Sequence, residues 1–409
     1  MKFGLRNMRH LLSSAGNPER LFPSIHVAGT NGKGSTSAFI ASILMEAGAR
    51  TGLYTSPHLV RFSERIRING REIPERRLVA YADRLREAIE DVRATFFETT
   101  TCIAFQYFAD EGVDIAVIEA GLGGRLDSTN VLRPLVSVIT NIGFDHTEIL
   151  GKTLRSIARE KGGIIKRGIP CITGATDAGV LRTLEQIAAS RGSRLYRARR
   201  VVRPTVTDGA VDFTGRAYAL RRVRLGLEGR YQVSNASLAL GAIKVVTGKA
   251  HRPLWLQNIG NDILRRGLNR VVQNTGMQGR LQKHGRYLLD VAHNPPGMGA
   301  LVQSLEVRGL RNLVVVFGVM KDKDSFRMLE TLVAIAATVI AVSPAMERSL
   351  DARTLYRRMV RMGIPAIYGG SVERGLKRAR KMTHGTPIVV TGSHYVVGEA
   401  LRFLGRKKA

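Results

Sequence analysis

The sequence holds no long apolar run. No stretch approaches the ~20 residues a bilayer-crossing helix needs, which argues against a membrane span. Its first residues, Met1-Lys2-Phe3-Gly4-Leu5-Arg6, lack the extended apolar segment of a secretion signal, so the expected compartment is the cytoplasm. Cysteine is scarce. Cys102 and Cys171 are the only two in 409 residues, which gives no disulfide framework and no metal-binding spacing. Acidic residues are few as well: 33 Asp+Glu against 63 Lys+Arg leave a formal charge of +30. The excess is not confined to a tail. Residues 281–409 carry 21 Lys+Arg against 9 Asp+Glu, leaving 42 against 24 for residues 1–280, although Arg406, Lys407 and Lys408 make a basic end. Such a surface favours polyanions, whether nucleotides, anionic substrates or nucleic acid, unless it reflects arginine usage alone.

Against these shortages stand 44% hydrophobic residues, enough for sizeable cores, and a length that suits two domains or one large one. The chain is organised around Ser24-Ile25-His26-Val27-Ala28-Gly29-Thr30-Asn31-Gly32-Lys33-Gly34-Ser35-Thr36. An apolar run delivers a glycine-rich turn onto a helical pattern from Ala38 to Ala47. In that context the turn's N–H groups, the helix dipole and the Lys33 charge converge on an anion. The stretch departs twice from the common phosphate-loop spacing. Gly29 lies three residues before Gly32, and Gly34 delays the hydroxyl that usually follows the lysine.

Along the chain, a helix and connector fill residues 1–23, and a second strand covers Thr51–Thr55. Alternating residues around Asn69-Gly70 predict a hairpin, since both turn positions need φ > 0. Pro74-Glu75 opens a helix with Leu78, Val79, Ala80, Leu85 and Ile89 on one side, and another helix covers Glu98–Asp110. Buried-type strands at Val113–Glu119 and Leu135–Thr140 each end in polar residues. Strands alternating with helices describe an open parallel α/β sheet that binds ligands beyond its strand ends, which places Glu119 and His146 on the edge carrying Lys33. Residues 194–232 read as a small antiparallel region, including Ala217-Tyr218-Ala219-Leu220. Helices follow at Asn235–Thr247 and around Trp255–Leu268. Beyond Thr275-Gly276-Met277-Gln278-Gly279 the alternation starts afresh, with strands at Tyr287–Val291, Leu313–Phe317, Val339–Val342 and Ile388–Thr391 and a closing helix from Tyr395. The expected organisation is an ATP-binding domain over 1–274, a linker at 275–280 and a smaller Rossmann-like α/β domain over 281–409.

In this order the motifs resemble those of the folylpolyglutamate synthase/dihydrofolate synthase family, within the Mur ligases. His26-Val27-Ala28-Gly29-Thr30-Asn31-Gly32-Lys33-Gly34-Ser35 is similar to that family's phosphate loop, extra glycine included. Tyr54-Thr55-Ser56-Pro57-His58-Leu59 is similar to the loop that separates folate ligases from muramyl ligases. Asp145-His146-Thr147-Glu148-Ile149-Leu150-Gly151, Gly279-Arg280-Leu281, Asp290-Val291-Ala292-His293-Asn294-Pro295 and Thr391-Gly392-Ser393-His394-Tyr395 match later motifs. Three positions depart: Gly162 stands where alanine is usual, Tyr231 where histidine is usual, and Gln278 where proline is usual.

The resemblance implies a fold with a parallel P-loop central domain and an ATP-dependent amide ligation that adds L-glutamate to folates or to dihydropteroate through an acyl phosphate. It implies ATP contacts from Gly29, Thr30, Asn31, Gly32, Lys33, Gly34, Ser35, Asn235 (adenine), Arg280 (phosphate) and Asp290 (ribose). It implies a magnesium site at Ser56, Glu119 and His146, and a second one if Lys161 is carbamylated by CO₂. His293 would position phosphates or the incoming amino acid, and Lys33, Lys161, His146 and His293 are the catalytic candidates. Pro57, His58 and Phe97 are the candidates for the folate pocket. A monomer working on small molecules is expected, with neither a membrane nor a specific nucleic acid as partner. Another Mur-type carboxylate–amine ligase is the alternative, and a basic nucleic-acid-binding ATPase a further one. No helicase motif or RNA-binding module accompanies the P-loop.

Overall fold

A computed structural model of the protein describes residues 4–215, 218–248, 254–257, 259–383 and 385–405. The basic end Arg406-Lys407-Lys408 and Ala217 of the alternating run lie outside the described residues. The first sheet uses β1 (Ser24–Ala28), β2 (Thr51–Tyr54), β3 (Ile66–Ile68), β4 (Arg71–Glu72), β5 (Ile115–Glu119), β6 (Val136–Ile139), β7 (Cys171–Thr173) and β8 (Leu195–Arg197). Its order is β4-β3-β2-β5-β1-β6-β7-β8. From β2 to β8 all neighbours are parallel, and β3 and β4 add an antiparallel edge. β1 lies between β5 and β6, and the chain leaves β1 towards β2 on one side and β6 towards β7 on the other. The crevice beyond the C-terminal end of β1 is therefore the switch point where open α/β sheets bind ligands. Every residue of β1, β5 and β6 is buried, as expected for strands covered on both faces.

A second, antiparallel sheet joins β9 (Arg203–Thr207), β10 (Ala210–Gly215) and β11 (Tyr218–Val223). The third comprises β12 (Gln282–His284), β13 (Tyr287–Leu289), β14 (Leu313–Phe317), β15 (Ala336–Ser343), β16 (Ala366–Ser371) and β17 (Ile388–Thr391). Its order is β12-β13-β17-β14-β15-β16, parallel except for β12. The fold is thus α/β, with a parallel-rich central sheet and a separate C-terminal α/β unit. Among the described residues no helix is long and apolar enough to cross a membrane.

The hairpin forms as expected, with Asn69 at φ 46° and Gly70 at φ 76°. Other expectations need correction. The helix from Pro74 breaks at Leu85 into Glu75–Arg84 and Arg86–Asp91, and Val79 is 60% exposed while Leu85 is buried. Short strands β7, β8, β12 and β16 were not anticipated, and β8 extends the first sheet instead of joining the antiparallel one. β8 and β12 are half-exposed edge strands without a continuous apolar run, so periodicity gives no signal for them.

The helix Asn261–Asn269 crosses the phosphate-loop helix Lys33–Glu46 at Gly267. There Ser42 Oγ donates to the Gly267 carbonyl at 2.6 Å, and a Cβ on Gly267 would stand 2.6 Å from Ile43 Cα. Backbone cannot yield cheaply, so Gly267→Ala is expected to cost about 1–3 kcal/mol and lower the thermal midpoint. Gly299 sits mid-helix with nothing within 4 Å of its would-be Cβ. Gly299→Ala should leave the midpoint unchanged or raise it, by up to about 1 kcal/mol, in the same melting experiment.

Candidate active site

Three loops at the C-terminal edge of the first sheet converge on the end of β1. The glycine-rich turn is pinned by the residues after β6. Thr140 Oγ1 donates to the Asn31 carbonyl at 2.7 Å, the Asn31 N–H donates to Asn141 Oδ1 at 2.9 Å, and Gly143 N donates to Thr30 Oγ1 at 3.0 Å. Thr140 explains Gly29, since a Cβ there would sit 1.8 Å from its hydroxyl. Gly32 has φ +82°, and its Cβ would meet Asn235 Oδ1 at 2.4 Å. Asn235 Nδ2 donates to Gln232 Oε1 at 2.8 Å, and Gln232 Nε2 reaches Ser35 Oγ at 3.2 Å, so the helix Tyr231–Thr247 buttresses the loop from the other side. Lys33 Nζ folds over the turn to the carbonyls of Gly29 (3.3 Å) and Thr30 (3.2 Å).

Glu119 closes β5 and is 4% exposed. Its Oε2 accepts the Ser56 N–H at 3.2 Å. Burial pushes its carboxyl up, while Lys33, the Ser56 N–H, Arg280 and Arg65 pull the other way. It is a buried carboxylate facing three cations. A Cβ on Gly34 would touch both Arg280 Nη2 (3.3 Å) and Glu119 Oε2 (3.5 Å), which places the linker arginine over the phosphate loop. Gly34, Ser56, Glu119, Arg280 and His394 enclose a space of about 40 Å³, room for an ion or a water. Lys161 Nζ is buried and donates to the Gly29 carbonyl at 2.9 Å. Burial, then Lys33, lowers its ammonium to about 7.

His146 sits elsewhere. It has φ 49°, follows Asp145, and its Nε2 lies 3.2 Å from Lys323 Nζ. Burial, against the pull of Asp145, lowers its imidazole to about 4, so it is neutral and accepts from the ammonium. Among the described residues no group of three or more His, Cys, Asp or Glu is placed to hold a metal ion. Ser56 and Glu119 are brought together, and His146 is turned to Asp145 and Lys323.

The third sheet's unit contributes a network that residue motifs alone did not single out. Lys323 Nζ donates to Asp145 Oδ1 at 2.6 Å, and each side chain is 8% exposed. Asn294 Nδ2 donates to Asp145 Oδ2 at 2.8 Å, and His293 Nε2 is 3.5 Å from the same oxygen. Asn31 and Asn294 exchange amide hydrogen bonds, each 3.0 Å long, directly between the phosphate loop and the third sheet's unit. Burial alone would raise Asp145, but the His293 hydrogen bond, Lys323 and His146 outweigh it and hold the carboxyl well below the usual range. Asp290, at the end of β13, is buried and accepts from Tyr231 Oη (2.7 Å), Leu281 N (2.8 Å) and Ala292 N (2.9 Å). The signals for the missed residues existed. Asp145 and Asn294 stand inside quoted motifs, and Lys323 follows the end of a buried strand, β14.

A large cavity of about 1510 Å³ opens beside this network. Pro57 and Phe97 line it, with Asp145, His146 and Lys323. His58 does not: it borders the small space and its Nδ1 accepts from Arg65 Nε at 2.9 Å. Phe97 packs the tip of its ring against Gly121, where a Cβ would come within 2.5 Å of Cζ.

A phosphate loop, a buried strand-end carboxylate and a linker arginine shared between two α/β units define the Mur ligase class. The description "Mur ligase middle domain" fits residues 27–243, and "Mur ligase, glutamate ligase domain" fits residues 277–394. A Bacillus subtilis dihydrofolate synthase/folylpolyglutamate synthase is 36% identical over 369 residues, covering 87% of this chain and 84% of that one. A structure of E. coli FolC in complex with DHPP and ADP superposes with a TM-score of 0.90 at 29% identity, covering 100% of this chain and 95% of that one. A Yersinia pestis folylpolyglutamate synthase/dihydrofolate synthase, complexed with AMPPNP and Mn, gives a TM-score of 0.88 at 29% identity, covering 99% and 94%. This chain belongs to the folylpolyglutamate synthase/dihydrofolate synthase family, whose members are C–N ligases.

Removing Lys323 strands the buried Asp145 charge. Lys323→Met is expected to cost about 3–5 kcal/mol, and Lys323→Met with Asp145→Asn distinctly less, measured as thermal midpoints at pH 7. Because the folded carboxyl lies below its unfolded value of about 3.9, its contribution is complete above about pH 4 and is withdrawn as the pH falls further. The wild type should therefore show a steeper acid limb than the double variant.

Proposed function

We propose that the chain joins L-glutamate to a folate carboxyl in an ATP-dependent amide ligation, acting on tetrahydrofolates, on dihydropteroate, or on both. One observation carries the reading. The phosphate loop, Glu119 and Arg280 meet at Ser56, where the large cavity begins, and that cavity is lined by basic and acidic side chains together, with Arg125, Arg327 and Arg348 paired to Glu160, Asp324 and Asp322. A cavity that opens at the phosphate-loop end leaves room for a carboxylate substrate beside the phosphates.

Bound ATP supplies the γ-phosphoryl group that turns the folate carboxylate into an acyl phosphate as ADP leaves; the glutamate amine then displaces phosphate and gives up a proton. Phosphoryl transfer asks for positioning and charge neutralisation. Lys33 and Arg280 are placed for that, and the residues Gly29 to Ser35 offer N–H groups and hydroxyls to the phosphates. Asn235 would meet adenine and Asp290 the ribose. A divalent ion fits Glu119, since Mg²⁺ takes one or two carboxylates and completes its shell from phosphate and water. Ser56 lies beside that carboxylate. His146 would join them only after release from Lys323. A second ion would need a carbamate on Lys161, whose ammonium burial lowers to about 7, so that the uncharged amine that adds CO₂ is present near neutral pH. His293, between Asp145 and the loop network, would position phosphate or glutamate. Pro57 and Phe97 would border the folate ring, with His58 acting through Arg65. Closure about residues 275–280, between domains at 1–274 and 281–409, would exclude water from the acyl phosphate.

In a coupled assay, ADP release should require glutamate together with dihydropteroate or tetrahydrofolate, and a UDP-muramyl substrate should give none. Lys33→Ala and Glu119→Ala should each lose at least about a hundredfold. Absence of release with either folate would overturn the reading, and nucleic-acid-stimulated hydrolysis would favour the basic ATPase instead. The carbamate has a separate test. ¹³C-bicarbonate should give a carbamate resonance in the wild-type protein that Lys161→Gln lacks, and no such resonance would assign Lys161 to loop support alone.

A further inference from the structure

The segment Glu228–Tyr231 enters the helix that buttresses the phosphate loop, yet its partners belong to the third sheet's unit. Arg308 Nη1 donates to Glu228 Oε2 at 2.6 Å, Arg230 N donates to Ser304 Oγ at 3.1 Å, and Tyr231 Oη donates to Asp290 Oδ2 at 2.7 Å. The first lies towards solvent, and the second ends on the buried Ser304. The third reaches a carboxylate that is 5% exposed.

A carboxylate has about four acceptor positions. On Asp290, Tyr231 Oη and Leu281 N occupy both positions of Oδ2, and Ala292 N takes one of Oδ1. One lone pair, on Oδ1, is left. Two of the three donors come from the residues flanking the strand and linker. The third crosses from the other unit. Arg280, whose Nη2 lies against Gly34 of the phosphate loop, immediately precedes Leu281, whose N–H ties the Asp290 carboxylate to the linker beside that loop.

We infer that Tyr231 is a positioning residue for nucleotide recognition: its hydroxyl fixes the Asp290 carboxylate with a single acceptor remaining for a ribose hydroxyl, and makes that acceptor depend on the docking of the two units. The inference rests on the nucleotide half of the function proposed above and not on its folate half. It also accounts for the departure at this position. A phenol and an imidazole both present one hydrogen-bond donor at the end of a ring, whereas phenylalanine presents none.

Calorimetric titration with ADP, 2′-deoxyADP and 3′-deoxyADP tests it without turnover. The wild type should prefer ADP to one deoxy analogue by about tenfold, the scale of one hydrogen bond to a charged group. Tyr231→Phe should lose about tenfold for ADP and little for that analogue, so the preference collapses. Tyr231→His should keep it. Asp290→Asn should collapse it too, a second route should the phenylalanine variant fold poorly. An unchanged preference in Tyr231→Phe, equal weakening of all three nucleotides, or no preference in the wild type overturns the inference. Loss of folate ligation with the nucleotide preference intact would overturn the proposed substrate and leave Tyr231's role standing.

Discussion

The Asp145 carboxylate is the interaction on which the site's assembly depends. It leaves the first sheet just after β6 and is buried among residues from the third sheet's unit: Lys323, His293 and Asn294. A buried anion needs cations and donors at hydrogen-bonding range, and here nearly all of them come from the other side of the cleft. Docking of the two units and satisfaction of Asp145 are therefore one event. The same contacts set the state of His146, held neutral with its Nε2 facing an ammonium, and fix Asn294 where it pairs with Asn31 of the phosphate loop. A change at the cleft is passed directly to the loop that would hold phosphate.

Glu119 poses the complementary problem. It is as deeply buried as Asp145, yet its pKa is raised, because its cations stand around it without a close ion pair. Its hydrogen bond, among the described residues, comes from the Ser56 N–H. One buried carboxylate is thus neutralised within the protein, and the other is the proposed seat of a divalent ion. Many arginines are spent on surface pairs such as Arg61–Glu72 and Arg266–Glu46, and those at the cavity are paired in the same way: Arg125 with Glu160, Arg327 with Asp324 and Arg348 with Asp322.

What was legible in the sequence was whatever local chemistry dictates. The turn at Asn69-Gly70 needs positive φ, the central strands read as unbroken apolar runs, and Glu119 had to emerge at a strand end. The helix after Pro74 was misread because Val79 and Ala80 fit an apolar stripe only if the helix runs past Leu85, and it stops there. The edge strands β8 and β12 were illegible because they bury too little to leave a pattern. The Asp145–Lys323 pair joins residues 178 apart, and no local rule connects such positions. Tyr231 was visible only as a departure from a motif. Its bond to Asp290 depends on two units coming together, which spacing along the chain does not encode.

The irregular glycine spacing of the phosphate loop follows from the same long-range contacts. Gly29 is excluded from bearing a side chain by Thr140, a residue of the neighbouring strand's exit. Gly32 is excluded by its positive φ and by Asn235, from the buttressing helix. Gly34 faces Arg280 and Glu119, the linker and the buried carboxylate. Each glycine answers a different neighbour, so their spacing reflects what packs around the turn as well as the turn's own geometry. A loop with the ordinary spacing could hold phosphate equally well, but a side chain at the Gly34 position would crowd the space shared by Arg280 and Glu119. The extra glycine leaves the linker arginine and the buried carboxylate close against the start of the same helix, where a Cβ would lie 3.3 Å from Arg280 Nη2 and 3.5 Å from Glu119 Oε2.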